Sequence, residues 1–288
     1  MNQQRHSAGQ FKQITSPANS IIKNIKGLQL KKNRDAEGLF IGEGLKLVID
    51  AMDNGWRVKT LIYAGDIADQ PHFMNIAVKA RTNGTDLLEV SEKILGSITR
   101  RDNPQRVVGV FYQKYKQLSA IEPGSNNLWI GLDRIRDPGN LGTIIRTADC
   151  VGAKGIMLIG ETTDPWSMEA VRATMGSVFN IEIVRCSQPE FIQWRQHWDG
   201  LVVGTHLQGA VDYRLVDYHD KPVLVLMGNE QKGLPEDLVS LCTDNVLIPM
   251  AGKADSLNLA IATGIIAFEA RRSYLKMPNN NRVKTNQH

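Results

Sequence analysis

Val223-Leu224-Val225-Leu226-Met227 runs straight into Gly228-Asn229-Glu230-Gln231-Lys232-Gly233-Leu234, and a second apolar run closes at Ile248-Pro249-Met250 before Ser256-Leu257-Asn258 opens a long apolar stretch. The pattern reads as two strand ends and one helix start meeting in one place. In α/β sheets ligands occupy the crevice beyond the carboxyl ends of the strands, so Gly-rich loops there are candidate binding sites. Gly228 and Gly233 bracket one such loop, with a single carboxylate, Glu230, between them. Glycine lets the backbone come close to a flat ligand. Taken alone, the same loop also reads as a strand-turn-helix connection with an incidental acid.

Working outward, Leu128-Trp129-Ile130-Gly131-Leu132 reads as a strand, followed by a loop over 133–139. Leu141, Ile144, Ile145, Ala148 and Val151 then recur at helical spacing, with Asn140 as the expected N-cap and Gly152 as the stop. Arg146 falls off this apolar stripe; alone it reads as a surface salt-bridge partner. Strands are expected at 155–159, 181–184, 201–205 and 245–248, with helices over 168–177, 189–197 and 235–242. Mostly apolar strands alternating with helices indicate a buried parallel sheet. A final helix over 256–274 is apolar on nearly every side, so it needs cover from the sheet and from a second subunit, and a homodimer is expected.

Before this lies a smaller alternating α/β domain over 1–112. It has a basic amphipathic helix beginning near Ser16-Pro17-Ala18-Asn19, carrying Ile21, Ile22, Ile25 and Leu28, a short strand and turn over 38–44, and strands at 58–63, 86–90 and 107–112. Helices are expected over 45–54, 73–82 and 91–98, the last capped by Ser91. Residues 113–127, containing Pro123-Gly124-Ser125-Asn126-Asn127, have a linker's composition. The second domain then covers 128–275. Residues 1–10 and a basic tail over 276–288 are expected to be disordered.

The chain has 288 residues, 42% hydrophobic and 22% charged, which suits two globular domains. No apolar run approaches bilayer length, and Met1-Asn2-Gln3-Gln4-Arg5 lacks the apolar core of a signal peptide, so a cytoplasmic protein is expected. Cys150, Cys186 and Cys242 are odd in number and widely spaced, and the histidines are scattered, so neither a zinc site nor a redox motif is expected. Net charge is only +4, but Arg5, Lys12, Lys23, Lys26, Lys31, Lys32 and Arg34 have no acid among them. Such a stretch draws polyanions through phosphate contacts, although a single cluster is more commonly a solvated face. With Arg271, Arg272, Lys276, Arg282 and Lys284 near the other end, RNA becomes the expected partner, contacted by Lys23, Lys26, Lys31, Lys32 and Arg34.

Three stretches can now be read together: Asp133-Arg134-Ile135-Arg136-Asp137-Pro138-Gly139-Asn140-Leu141-Gly142 through Arg146-Thr147-Ala148; Leu226-Met227-Gly228-Asn229-Glu230 through Gly233-Leu234; and Ile248-Pro249-Met250 through Ser256-Leu257-Asn258. In order and spacing they resemble the three motifs of the SpoU, or TrmH-like, branch of the SPOUT RNA methyltransferases. The first domain, through Phe40-Ile41-Gly42-Glu43-Gly44, resembles the family's substrate-binding extension. The resemblance implies an α/β fold: a C-terminal knotted SPOUT domain with a mostly parallel sheet, an exception to the rule against knots, behind a small ribosomal-protein-like α/β domain.

It also implies S-adenosylmethionine as cofactor, methyl transfer to an RNA ribose 2′-hydroxyl, and a homodimer. Thr205, Gly209, Leu226, Gly228, Asn229, Ile248, Met250 and Leu257 match the cofactor positions. Asn140, Arg146, Glu230, Ser256 and Asn258 match the polar active-site positions. Gln231 stands where a small residue is common, and Ala260 where many members carry serine. Family proposals make the arginine a base, yet arginine gives up its proton near neutral pH only at great cost. The alternative for Arg146 is to bind the adjacent phosphate and stabilise the developing alkoxide. A long N-terminal domain resembles the ribosomal RNA enzymes more than the minimal tRNA enzymes. The competing readings are a tRNA ribose methyltransferase and a noncatalytic RNA-binding assembly factor.

Overall fold

The computed structural model describes residues 8–124 and 126–276. The expected disorder of residues 1–10 therefore falls largely outside the described residues, as does nearly all of the basic tail. The chain forms two compact units. The first gathers the described residues up to Tyr115 with Asp137–Arg146 and Thr163–Asn180; the second gathers Lys116–Arg136, Thr147–Thr162 and the described residues from Ile181 onward.

In the first unit, β1 (Phe11–Ile14), β2 (Leu39–Glu43), β3 (Val58–Ala64), β4 (Asp86–Val90) and β5 (Val107–Tyr112) form a sheet in the order β1-β4-β3-β5-β2. The first three run parallel, and β5 is antiparallel to both of its neighbours. Around it stand α1 (Ser20–Gly27), α2 (Lys31–Glu37), α3 (Leu45–Asp53), α4 (Pro71–Thr82) and α5 (Glu92–Thr99). α1 begins where Asn19 caps it, the carboxamide accepting from the Ile21 N–H at 2.8 Å. Ile22, Ile25 and Leu28 then pack with Ile41, Ile62, Leu88 and Ile94 in one core cluster. Ser91 caps α5 as expected, accepting from the Ile94 N–H.

α2 is an addition to the expected elements, and it overturns one expected RNA contact. Arg34 is 4% exposed; its guanidinium pairs with Asp164 at 2.6 Å and donates to the Leu28 carbonyl at 2.8 Å. Arg34 is thus a core residue and not a phosphate ligand. Around the same segment, Phe40, Trp56, Phe111, Trp166 and Phe179 form an aromatic cluster, the Phe40 and Trp166 ring centroids 4.7 Å apart. Residues 163–180 are held to the five-stranded sheet by this cluster.

In the second unit, β6 (Leu128–Asp133), β7 (Gly155–Ile159), β8 (Glu182–Cys186), β9 (Leu201–Thr205), β10 (Val211–Asp212), β11 (Val223–Met227) and β12 (Asp244–Leu247) form a sheet ordered β10-β12-β9-β11-β6-β7-β8, with every pair parallel. All strands therefore present their carboxyl ends at one edge. Of the remaining helices, α6 (Pro138–Cys150) belongs to the first unit up to Arg146 and to the second from Thr147, α7 (Met168–Thr174) belongs to the first, and α8 (Gln188–Arg195), α9 (Glu236–Val239) and α10 (Leu259–Arg271) belong to the second. The segment expected as a linker is tied to the sheet edge, since the Lys116 N–H donates to the Ile183 carbonyl at 2.8 Å.

Two helix starts differ from expectation for one reason: which polar side chain takes up the free amides. α6 begins at Pro138, and Asp137 caps it, its carboxylate accepting from the Asn140 N–H at 2.6 Å. Asn140 is thereby in the first turn and not the cap. α10 begins at Leu259, and Asn258 is its cap, accepting from the Ala260 and Ile261 N–H groups at 2.9 and 3.2 Å. Ser256 lies before the helix, in the irregular segment that follows β12.

Candidate active site

At the carboxyl edge of the second unit's sheet, the ends of β9 and β12 and the segment before α10 enclose a cavity of about 240 Å³. Of the residues singled out in the sequence, Thr205, Ile248, Met250, Ser256 and Leu257 line it together, and His206 and Asp255 join them. Most of the wall is apolar, from Leu207, Val246, Leu257 and Ile266, with the Thr205 and Ser256 hydroxyls, His206 and the Asp255 carboxylate as its polar groups. Such a wall suits a flat heterocycle whose polar edges meet a few placed groups.

Gly209, Leu226, Gly228 and Asn229 are not among the lining residues. Leu226 is fully buried in the core cluster with Trp129 and Met157; only its carbonyl reaches towards the cavity, accepting from Thr205 Oγ1 at 3.4 Å. Gly209 lies in an exposed turn with φ +69°. Gly228 is required for another reason than ligand approach: a Cβ there would lie 2.2 Å from the backbone of Gly233 and Leu234. The loop folds back on itself at this point, with the Asn229 and Gly233 backbones exchanging hydrogen bonds of 3.2 and 2.9 Å.

Asn229 locks this loop. Its Oδ1 accepts from the Gln231 and Lys232 N–H groups, and its Nδ2 donates to the Arg134 carbonyl at 2.8 Å. Glu230 is exposed, and its carboxylate accepts from the Arg136 N–H at 3.4 Å. The two loops beyond β6 and β11 are thus pinned to each other. Asp133, at the end of β6, is a residue to which sequence reasoning gave no role. It is 1% exposed, pairs with Arg134 at 2.7 Å, and leaves Oδ1 without a hydrogen-bond partner among the described residues. The hydrogen bond to Asp133 raises the affinity of the Arg134 guanidinium for its proton above the ordinary value. An acid closing an otherwise apolar strand was the available signal.

Asn140 and Arg146 stand on the part of α6 that clusters with the first unit. Arg146 is exposed and Asn140 half-buried. With Thr143 between them, they form a polar strip turning through about 120° of the helix surface. The opposite side of α6 is committed to packing, with Leu141, Ile144, Ile145 and Ala148 fully buried; between the two sides Gly142 meets α7, where a Cβ would lie 2.4 Å from the Ala170 carbonyl oxygen and 2.5 Å from the Ala173 side chain. Among the expected RNA contacts, Lys23 and Lys32 are exposed, Lys26 is half-buried, and Lys31 pairs with Asp35 at 3.2 Å.

Comparison with known proteins agrees with this architecture. Residues 127–268 match the model of the SpoU rRNA Methylase family, and residues 19–109 that of the MRM3-like substrate binding domain. The chain is 32% identical to the 23S rRNA (uridine(2479)-2′-O)-methyltransferase of Streptomyces viridochromogenes over 84% of its own length and 85% of that protein's. It is 29% identical to the 23S rRNA (guanosine(2553)-2′-O)-methyltransferase RlmP of Bacillus subtilis, over 91% of its own length and 100% of that protein's. Among solved structures, the AdoMet-bound rRNA methyltransferase from Sinorhizobium meliloti is 56% identical and superposes with a TM-score of 0.88, over 93% of this chain and 100% of that one.

Proposed function

This chain belongs to the SpoU rRNA methylase family, and from that premise we propose how its residues divide the work of methylating RNA. It is an S-adenosylmethionine-dependent RNA ribose 2′-O-methyltransferase. Ribosomal RNA is the substrate favoured, in keeping with the activities named for the two relatives. Those relatives act on a uridine and a guanosine, so the family relationship points to the reaction and not to the base.

The observation that carries the cofactor assignment is the cavity shared by Thr205, Ile248, Met250, Ser256 and Leu257. At about 240 Å³ it is smaller than the ~300–1,000 Å³ of sites that enclose a whole ligand, so it suits the adenosine portion of S-adenosylmethionine. Apolar Ile248 and Leu257 would hold the purine; Thr205, Ser256 and Asp255 offer partners for its hydroxyls. Bound there, the cofactor supplies a methyl group already activated by its sulfonium.

The protein's remaining task is alignment and removal of one proton. Arg146, exposed on α6, is assigned to the phosphate next to the target ribose and to the oxygen as it gains negative charge, with the proton passing to phosphate or water. Asn140 lies within the same polar strip and is assigned to orienting the ribose. Asn258 is assigned to orienting substrate from the head of α10. Glu230 is assigned to holding the loop over 134–136 rather than to proton transfer, on the strength of its bond to the Arg136 N–H.

Three further assignments accompany this reading. A substrate-binding domain over 1–112, a linker over 113–127 and a methyltransferase domain over 128–275 are supported by the family matches at 19–109 and 127–268. The trefoil knot is carried to the second of these domains by family membership. A homodimer is supported by α10, where Ile261 and Phe268 stay 57% and 48% exposed, an apolar stripe that a second copy would cover. None of the described helices is long and apolar enough to cross a membrane, and a ribosomal RNA substrate supports a cytoplasmic location.

Isothermal titration with S-adenosylmethionine, followed by transfer of labelled methyl to total ribosomal RNA and total tRNA, tests the reading. Binding with label in ribosomal RNA is expected. Label confined to tRNA would replace the substrate, and RNA binding with neither cofactor binding nor transfer would overturn the enzyme in favour of an assembly factor.

A further inference from the structure

At one end of the first unit's sheet, the residues leading into β3 meet those leaving β5. The Tyr112 N–H donates to the Arg57 carbonyl at 3.4 Å, and Lys114 Nζ donates to the Gly55 carbonyl at 3.3 Å. Each of the two cations here lies against an aromatic ring. The Arg57 guanidinium carbon is 4.7 Å from the centroid of the Tyr112 ring, and Lys114 Nζ is 4.5 Å from that of Trp56. The rings are themselves held. Trp56 meets Phe40 and Phe179 edge to face and donates its indole N–H to the Phe179 carbonyl at 2.9 Å. Tyr112 is half-buried against the core cluster that contains Ile22 and Ile25 of α1.

These contacts fix the cations without neutralising them. Elsewhere on the unit Lys31, Lys46, Lys79 and Arg106 are exposed, but each stands within 3.2 Å of a carboxylate. Arg57 and Lys114 are equally exposed and have no carboxylate partner among the described residues. The negative face of a ring attracts a cation but leaves its charge uncancelled, and a guanidinium resting on a ring keeps N–H edges free for a phosphate. Partial burial lowers the affinity of the Lys114 ammonium for its proton, so this charge has given up water without gaining an anion. Lys59, two residues beyond Arg57, is unlike them, since it shares its cavity with Glu37 and Asp86.

The two rings lie on opposite faces of the sheet. Trp56 packs on Phe40, whereas Tyr112 shares the core cluster of Ile41, the next residue along β2. Arg57 and Lys114 therefore straddle the end of the sheet, Arg57 on the side that α1 covers with its exposed Lys23. We propose that Arg57 and Lys114 grip phosphates of one RNA strand as it crosses this end of the sheet. The surface rests on the RNA-methyltransferase reading and adds to its substrate-binding unit a grip that positions the strand and reads no base. It takes a polyanion because two fixed, uncancelled charges at the end of one sheet match successive phosphates of a chain.

The test uses the full chain and fluorescence anisotropy with labelled RNA single strands, one of uridine alone and one of mixed sequence, between about 50 and 200 mM salt. Arg57→Gln and Lys114→Met are each expected to flatten the slope of log affinity against log salt by about 0.7, and to weaken both strands about five-fold near 0.1 M salt, as one lost phosphate contact does. Glutamine keeps a planar group over Tyr112 and methionine an unbranched chain over Trp56, so the melting temperature is expected to stay with the parent's. Arg57→Lys keeps the charge and is expected to keep the parent's slope. Lys79→Met removes the same charge from a lysine already paired with Asp53 at 3.0 Å, and is expected to change neither slope nor affinity. Unchanged slopes in Arg57→Gln and Lys114→Met, a flattened slope in Arg57→Lys, an equal loss in Lys79→Met, or a loss confined to one sequence would each overturn the surface. Methyl transfer to ribosomal RNA, measured in parallel, is expected to show KM raised about five-fold in Arg57→Gln with kcat within about two-fold. Transfer by the parent with unaltered slopes in the variants defeats the surface alone, and flattened slopes without transfer by the parent defeat the enzyme alone.

Discussion

Arg34 and Asp164 form an ion pair at 2.6 Å although their side chains are only 5% and 6% exposed. They are 130 residues apart in sequence, and the pair ties α2 to the aromatic cluster around Trp166. Arg34→Ala would leave a buried carboxylate without its cation, a change that typically destabilises by about 3–5 kcal/mol. The variant is expected to unfold at markedly lower denaturant in a urea titration. Lys32→Ala, at an exposed position two residues away, is expected to stay within about 0.5 kcal/mol of the parent while lowering RNA affinity in low salt. A loss of affinity from Arg34→Ala at unchanged stability would return Arg34 to the RNA-binding face.

The cysteines differ sharply in environment, and alkylation reads the difference. Burial pushes the Cys186 thiol up to about 12 and the Cys242 thiol up to about 11, whereas Cys150 is exposed on α6. Thiolate is the reactive form, so at pH 8 the two buried thiols carry on the order of one part in a thousand or less of it. One fast-reacting thiol per native chain, mapped to Cys150, is expected by mass spectrometry. The same shifts set a sign for stability. Unfolding returns these thiols to their ordinary range, so their protonated form favours the folded state fully below about pH 8.5 and the benefit is lost as pH rises towards 11 and 12. Urea midpoints are expected to fall between pH 8.5 and 10.5, and to fall less in Cys186→Ala once compared with its own value at pH 8.

What the sequence revealed and concealed follows from burial. β7, β9 and β11 fall at their expected residues because they are continuous apolar runs buried on both faces, a pattern that needs no knowledge of partners. β1 was missed because three of its four residues are exposed and it is recognisable only by its pairing with β4. α2 carries no apolar periodicity, and the burial of Arg34 depends on a partner far along the chain. Thr205, Ile248, Met250, Ser256 and Leu257, singled out through the resemblance, line one cavity. The reason for Gly228 was not legible, since the neighbour that excludes a Cβ is the backbone of the same loop at Gly233. Asp133 was visible only as an acid closing an apolar strand: sequence shows a carboxylate but not that one of its oxygens lacks a hydrogen-bond partner among the described residues.

Asn258 has a structural duty as the cap of α10 that has to be separated from any role in the reaction. Asn258→Ala would remove the acceptor for the Ala260 and Ile261 amides and is expected to destabilise by about 1 kcal/mol. Asn258→Asp keeps an equally good cap. It is expected to melt with the parent yet to lose at least ten-fold in kcat/KM, because a carboxylate in place of the carboxamide can no longer donate and adds charge beside an RNA backbone. Full activity in Asn258→Asp would reduce Asn258 to a cap.

Arg146 offers the sharpest test of the reaction. It is exposed, on the side of α6 turned away from the buried Leu141, Ile144, Ile145 and Ala148. Arg146→Lys should therefore leave the fold within about 0.5 kcal/mol of the parent. Lysine keeps the charge but replaces a planar fork of donors by a single point, which cannot hold a phosphate oxygen and the reacting ribose oxygen in fixed relation. With that relation lost, single-turnover methyl transfer is expected to slow by about 100-fold or more, the scale of removing one placed donor from a developing oxyanion. RNA affinity, measured by anisotropy without cofactor, is expected to stay within about three-fold, because the charge that attracts phosphate is unchanged. A variant that retained its rate would take Arg146 out of the reacting centre, and one that lost RNA affinity in proportion to rate would make it a binding residue only.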